Sequence, residues 1–547
     1  MSALSAWKSV RKRKAAASAL VAASVGLLVV GPSPAAEAVP AAEAYKVVSK
    51  VQFGTPGVAG STSCSAVLVA PRWVVTAKAC FRPSGQVVAD GPPSKKTTAL
   101  IGWPNLSQAA GGQTVSVVRV VPHPDRDVAL VRLAVAVNDV APVALATTAP
   151  AAGEVLTVAG FGRTASDWVP DRPHLGTFTV DAVAPATLAL TATDSAQVGP
   201  CKGDAGGPGL RESGTTVQLV AITHAADGQG GCLGAEQDAT RGGSQTRVDD
   251  LGSWFGRYLP ERQVSTILND NSNLCLAINA GSTENAARAI QWGCQGGTEQ
   301  DWRLRQRPSG AYEIRNDHSG QCMAIGGSST EEGAEVLQWP CAGDTHLEQT
   351  WAMIPDGTGY VALQNVNSKQ CLAMGAASTT AGKIAIQWPC RGAGNREQQW
   401  KVTTRNVGTR LINQHSKLCA SNDGVLTNGA GLVQATCNDA NHAEFHLTAK
   451  AGGYAQIRND RSGFCLAIGG GTSTEGQRSL QWTCGDNTHG EQQWTIDADP
   501  AGWTRLRNKT TGKCLDIADG SKTAGVILTQ QTCSATDPGQ SWQLVDN

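Results

Sequence analysis

In the first half of this 547-residue chain, three short stretches hold the side chains that could do chemistry. The run "CSAVLVAPRWVVTAKAC", Cys64 to Cys80, contains Lys78. The run "PHPDRDVALVRL", Pro122 to Leu133, contains His123 and Asp127. The run "CKGDAGGPGL", residues 201 to 210, sets Asp204 in a glycine-rich turn. Nucleophilic hydrolysis needs a hydroxyl, an imidazole to take its proton and a carboxylate to orient the imidazole. The glycine-rich run has a carboxylate and no hydroxyl, so it offers no hydroxyl nucleophile.

The second half carries a different constellation of cysteine, glutamine and tryptophan. Twelve of the sixteen cysteines form six successive couples: Cys275 and Cys294, Cys322 and Cys341, Cys371 and Cys390, Cys419 and Cys437, Cys465 and Cys484, Cys514 and Cys533. The first member of each couple recurs after 47, 49, 48, 46 and 49 residues, which makes the region from about 264 to the end six copies of one unit. Each copy starts as a short strand, passes a Gly/Ser/Thr turn, enters a segment such as "VLQWPC", and closes on Gln-x-Trp; the fourth closes on "AEF". Short β-rich runs between turn residues, with no helical period, predict an all-β unit that cannot bury its apolar face alone.

Cysteines about 19 apart followed by Gln-x-Trp, in groups of three, resemble the ricin-type (R-type) β-trefoil lectins. The resemblance implies two trefoils, 264–403 and 408–547, with "TTRNVG" at the seam. It also implies that Trp302, Trp351, Trp400, Trp494 and Trp542 pack at the pseudo-threefold axes. Lectins of this type resemble one another in having an Asp two residues after the first Cys and an aromatic ring two before the second. The carboxylate accepts sugar hydroxyls and the ring stacks on the sugar. Here four copies keep the ring, as Trp292, Trp339, Trp388 and Trp482, and put Ala277, Ala324, Ala373 and Ala467 in place of the Asp. The sixth copy keeps Asp516 but has Gln531 in place of the ring; the fourth, with Ser421 and Ala435, has neither. A sugar hydroxyl without its acceptor loses about 1–3 kcal/mol, so weak sites gaining avidity on a polymer are expected. Candidate carbohydrate-binding residues are therefore Trp292, Trp339, Trp388, Trp482 and Asp516.

Residues 45–260, in their three chemical stretches and the order of them, resemble the trypsin/chymotrypsin serine proteases. That resemblance implies two six-stranded antiparallel barrels with a cleft between them, and pairs Cys64 with Cys80 and Cys201 with Cys232. The family's His falls on Ala79, its Asp on Asp127 and its Ser on Ala205. Two of the three triad positions are thus methyl groups, which neither attack nor carry a proton. The oxyanion-hole position Gly203 is kept. Gly199 stands where tryptic members have Asp, and Thr223, His224 and Ala225 stand where the family has Ser-Trp-Gly. The segment "YKVVSKVQFG" lacks the new amino terminus that pairs with the Asp at 204, so a buried Asp204 needs another partner. The whole chain is expected to be all-β: a trypsin-like double barrel followed by two β-trefoils with Gln-x-Trp repeats.

These elements belong to an exported chain. Residues 1–44 put Lys8, Arg11, Lys12, Arg13 and Lys14 before an apolar run from Ala15 to Val30, then two A-x-A sites, which is a secretory signal cleaved near 38 or 44. No later segment is apolar enough to span a membrane. In an exported chain an even cysteine count reads as a disulfide framework, with no metal or cofactor called for. Removing the signal leaves 40 basic and 43 acidic residues, a net charge of −3, which gives no footprint for nucleic acid. Three readings follow. The first is a secreted carbohydrate-binding protein that carries a non-catalytic trypsin-like domain. The second is a secreted serine endopeptidase, which the fold suggests and Ala79 and Ala205 oppose. The third is an interaction module whose cleft holds a peptide or inhibitor protein without cutting it.

Overall fold

The computed structural model describes residues 45–547 apart from 83–86, 109–110, 194–198, 215, 228–229, 237–239, 260–261, 308, 344, 438–440 and 547. The expected signal, 1–44, with its cleavage points, lies outside the described residues. Strands dominate the described chain; its one α-helix is the single turn Gly252–Phe255, and the other helical turns are short 3-10 segments. No helix among the described residues is long and apolar enough to cross a membrane.

Valine-rich runs build the first barrel, because branched side chains suit a pleated strand buried on one face or both. Its strands are β1 (Val48–Phe53), β2 (Thr62–Ala70), β3 (Trp73–Thr76), β4 (Thr97–Ile101), β5 (Gln113–Pro122) and β6 (Ala129–Leu133), closed in the order β1-β2-β3-β6-β5-β4. Every residue of β3 and β6 is buried. The second barrel uses β8 (Val155–Gly160), β9 (His174–Val183), β10 (Thr187–Ala192), β11 (Pro208–Ser213), β12 (Thr216–Asp227) and β13 (Gly242–Arg247). Pairing of β11 with both β8 and β12 closes that ring, and the two-residue β7 (Ala144–Leu145) adds parallel to β12.

Each later repeat contributes four short strands, in the second repeat Tyr312–Asn316, Cys322–Ile325, Val336–Trp339 and Thr350–Pro355. The second and third of these pair so that the first Cys lies opposite the residue two before the second: Cys275 opposite Trp292, Cys322 opposite Trp339, Cys371 opposite Trp388, Cys465 opposite Trp482. Disulfides then close Cys275–Cys294, Cys322–Cys341, Cys371–Cys390, Cys419–Cys437, Cys465–Cys484 and Cys514–Cys533. Strand Gln263–Asn269 pairs with Trp400–Asn406 to close the first set of three repeats, and Thr409–Asn413 pairs with Trp542–Asp546 to close the second. Trp302, Trp351, Trp400, Trp494 and Trp542 are fully buried, and Phe445 takes the same place in the fourth repeat.

The first barrel is bonded to the second set of repeats. Ala136 N–H donates to the Leu447 carbonyl and Ala449 N–H donates to the Ala136 carbonyl, both at 3.0 Å, forming a parallel bridge. Arg72 donates to the Thr409 hydroxyl at 2.6 Å, and the Ser116 hydroxyl donates to the Ile496 carbonyl. The two sets of repeats are joined at their seam by Arg405, which reaches Asp301 of the first set and Glu444 and Asp460 of the second.

Candidate functional site

Between the barrels, the chain folds so that four separate segments meet. The glycine turn after Ala205 is fixed by two backbone bonds, Gly206 N–H to the Thr223 carbonyl and Thr223 N–H to the Gly207 carbonyl, each 2.8 Å. Gly206 has φ +84°, and a Cβ there would fall 2.0 Å from the Thr76 hydroxyl, so only glycine lets the loop approach β3 this closely. Asp127 Oδ1 accepts the Ala79 N–H at 2.7 Å. Its Oδ2 lies 2.5 Å from Nδ1 of His224, the residue after Thr223. That separation is hydrogen-bonding distance, so the imidazole and the carboxylate are tied together. The N–H groups of Gly203 and Ala205 donate to no acceptor among the described residues. The site therefore keeps two backbone donors unpaired among the described residues and an imidazole–carboxylate pair, with a methyl group as the side chain at 205.

Other basic side chains near the cleft are committed elsewhere. Lys78 Nζ donates to the carbonyls of His123 (2.8 Å) and Pro124 (3.4 Å). His123 Nδ1 accepts the N–H groups of Asp125 and Arg126, and the ring meets Trp254 edge-on. Burial, helped by the charge of Arg126, holds the His123 pKa below its ordinary value, which suits a neutral acceptor.

In the repeats, the Gln-x-Trp residues are framework. Each tryptophan donates its indole N–H to the carbonyl one residue after the first Cys, as Trp302 to Leu276 and Trp351 to Met323, both at 3.0 Å. Each glutamine closes the disulfide loop: Gln300 Oε1 accepts the Gln295 N–H and its Nε2 donates to the Gly293 carbonyl, both at 2.8 Å. The tryptophans two before the second Cys point outward. Trp292, Trp339 and Trp482 are 42%, 46% and 47% exposed. Open cavities of about 480 Å³ at Trp292 and about 370 Å³ at Trp388 are floored by Ala277 and Ala373.

Comparison with known proteins follows these two halves. A family model described as "Ricin-type beta-trefoil lectin domain-like" matches in six overlapping copies, 257–339, 302–388, 347–435, 396–482, 441–531 and 490–547, more than half of the chain. The chain belongs to the ricin-type β-trefoil lectin family. A second family model, "Trypsin", matches residues 37–251. Serine protease SP24D of Anopheles gambiae is 28% identical over 209 residues, 35% of this chain and 70% of that protein. Among solved structures, the designed threefold-symmetric protein ThreeFoil is 31% identical, with 26% of this chain and 97% of that chain covered and a TM-score of 0.25. The hemolytic lectin CEL-III is 20% identical over 52% of this chain and 63% of its own, with a TM-score of 0.24.

Within the trypsin domain, the partner that Asp204 requires is His174 at the start of β9. Asp204 is 1% exposed; it accepts the N–H groups of Gly162 and Cys201 at 2.8 Å, and His174 Nε2 lies 3.0 Å from both of its oxygens. Burial works to lower the His174 pKa, but the bond and charge of Asp204 outweigh it and raise the value above the ordinary one. Disulfides Cys64–Cys80 and Cys201–Cys232 brace the two loops that meet at the cleft. Sequence reasoning placed His224 where the family has the Trp of Ser-Trp-Gly and did not foresee that it would bond to Asp127, and it did not single out His174. The one signal available was the demand of a buried Asp204 for a cation.

Within the ricin-type repeats, two candidates differ from expectation. Asp516 is only 5% exposed: Oδ1 accepts the Ile517 N–H at 2.6 Å and Oδ2 accepts from Gln540 Nε2 at 3.1 Å. Burial pushes its pKa up to about 6, and a carboxylate held this way has little surface to offer a sugar. Trp388 is half-buried, with the Arg391 guanidinium 5.9 Å from its ring centre. Sequence reasoning also passed over the glutamine before each outward tryptophan. Gln338, fully buried, donates to the Ser282 and Glu284 carbonyls of the preceding repeat and accepts from the Ser319 hydroxyl. Gln291, Gln387, Gln481 and Gln530 make equivalent pairs of bonds, so these residues clamp the repeats around each axis.

Proposed function

We propose that the chain is a secreted glycan-binding protein in which the trypsin domain has lost peptidase chemistry and the ricin-type repeats supply several weak stacking sites. The observation that carries this reading is the set of indoles left outside the framework: Trp292, Trp339 and Trp482 are exposed although every Gln-x-Trp indole is buried. An exposed ring beside a shallow cavity suits the apolar face of a sugar. Alanine at 277, 324, 373 and 467 removes the usual acceptor, so each site is weak and retention depends on avidity over both modules. The test is retention of the secreted chain on insoluble polysaccharides and a glycan array. Replacing Trp292, Trp339 and Trp388 together by Ala should abolish retention with the melting temperature close to the parent's; unchanged retention would overturn the reading.

A second reading concerns the trypsin cleft, and the N–H groups of Gly203 and Ala205, unpaired among the described residues, favour it. Such donors suit a peptide carbonyl or carboxylate held without cleavage. Capture of a purified protease-inhibitor protein, lost on Ala205→Pro, is the expected outcome; no capture by the parent chain would sink it.

A further inference from the structure

Where the first barrel, the segment leaving the second barrel and the trefoil seam converge, the structure encloses a cavity of about 690 Å³. Arg72, Arg119, Arg257, Arg262, Arg405 and Arg458 line it, against a single lining carboxylate, Asp460. Carboxylates outside the lining satisfy some of these cations. Arg119 is held by Asp90, and Arg405 spreads over Asp301, Glu444 and Asp460. Arg262 shares Asp317 with Arg303, at 2.6 and 2.5 Å. The balance is still positive. Arg262 Nε is sealed from water and meets no acceptor among the described residues. The side chains of Arg257 and Arg458 are exposed and make no hydrogen bond or ion pair among the described residues. Asp301 is pushed up to about 7 by burial, so one nearby negative charge is incomplete at neutral pH.

Guanidinium groups present planar forks of donors that match tetrahedral oxyanions, and like charges gathered in a partly closed space are relieved by an anion. The cavity is larger than one oxyanion needs, and its lining includes the half-buried ring of Tyr258, an apolar surface for a sugar ring, packed on the buried Trp73. We propose that this cavity binds a phosphate or sulfate ester carried on a saccharide, with Arg257 from the trypsin side and Arg458 from the second trefoil as its two free anchors. A ligand so held would tie the trypsin domain to the lectin module. This site is separate from the tryptophan platforms and does not depend on them.

The test is calorimetric titration of the full secreted chain with a hexose phosphate, a hexose sulfate, inorganic phosphate and the neutral hexose at matched ionic strength. The expected result is binding of the esters more tightly than inorganic phosphate, no binding of the neutral hexose at this site, and weakening as salt rises. Arg257→Ala and Arg458→Ala, both on exposed side chains, should each weaken ester binding by roughly tenfold or more, since each removes charge-assisted hydrogen bonds. Absence of ester binding, or binding unchanged in the arginine double variant, would overturn the site. Equal affinity for ester and inorganic phosphate would overturn the saccharide part of the assignment.

Discussion

His224 Nδ1 lies 2.5 Å from Asp127 Oδ2, so the carboxylate that a trypsin-like enzyme uses to orient one histidine is occupied by another, 97 residues further along the chain. The second oxygen of Asp127 holds the backbone N–H of Ala79. Asp127 has thus become a brace between β12 and the turn after β3. Asp127→Ala is expected to cost about 1–3 kcal/mol by leaving two donors without their acceptor, read from denaturant unfolding of the trypsin domain. Release of fluorogenic peptides should stay at the buffer level in both parent and variant.

The His174–Asp204 pair gives the trypsin domain a dependence on pH whose sign is set by the raised His174 pKa. The folded state holds the proton more tightly than the unfolded state does. The stabilisation is therefore fully present below the ordinary histidine value of about 6.5, and is lost as pH rises through the raised folded value. Calorimetry should show the trypsin-domain transition moving to lower temperature as the solution turns alkaline. His174→Gln, which keeps a donor but cannot titrate, should flatten that slope; an undiminished slope would show that another group sets it.

Two tryptophans of one repeat separate framework from platform. Trp302 is fully buried and hydrogen-bonded to the Leu276 carbonyl, so Trp302→Ala is expected to cost about 3–5 kcal/mol. Trp292, 42% exposed, should cost well under half as much and show its loss in polysaccharide retention. Paired melting curves and pull-downs of the two variants check both statements.

The glutamine clamps make a prediction about cooperativity between repeats. Gln338→Ala removes the donor to the Ser282 and Glu284 carbonyls and the acceptor of the Ser319 hydroxyl. An expected loss of about 1–3 kcal/mol should appear in the unfolding of the first trefoil, with the second unaffected. Equal destabilisation of both trefoils would mean that the clamp acts beyond its own axis.

Much of the architecture could be read from the chain because it is written in local, repeated spacing. A disulfide couple spanning 18 or 19 residues, a Gln-x-Trp closing and a return of similar strands name one small unit, and six copies of it leave little freedom in how they stack. The methyl groups at 79 and 205 were equally plain, since identity alone settles whether a side chain can attack or carry a proton. The candidate site was less legible. As sequence positions Asp516 and the four tryptophans all read as sugar contacts, yet Asp516 is buried against the Gln540 amide and Arg391 lies over one ring.

Residue types and their periods were enough to give the all-β class, the threefold repeats and the empty triad positions, because each depends on neighbours within a few tens of residues. Folding alone chose the rest: His224 for Asp127, His174 for Asp204, and the second trefoil as the surface to which the first barrel is bonded. Ala136 meets Leu447, and Arg72 meets Thr409, 337 residues away. Contacts of that kind depend on where rigid barrels come to rest against one another, and no local spacing encodes which imidazole or which trefoil will be within 3 Å when they do.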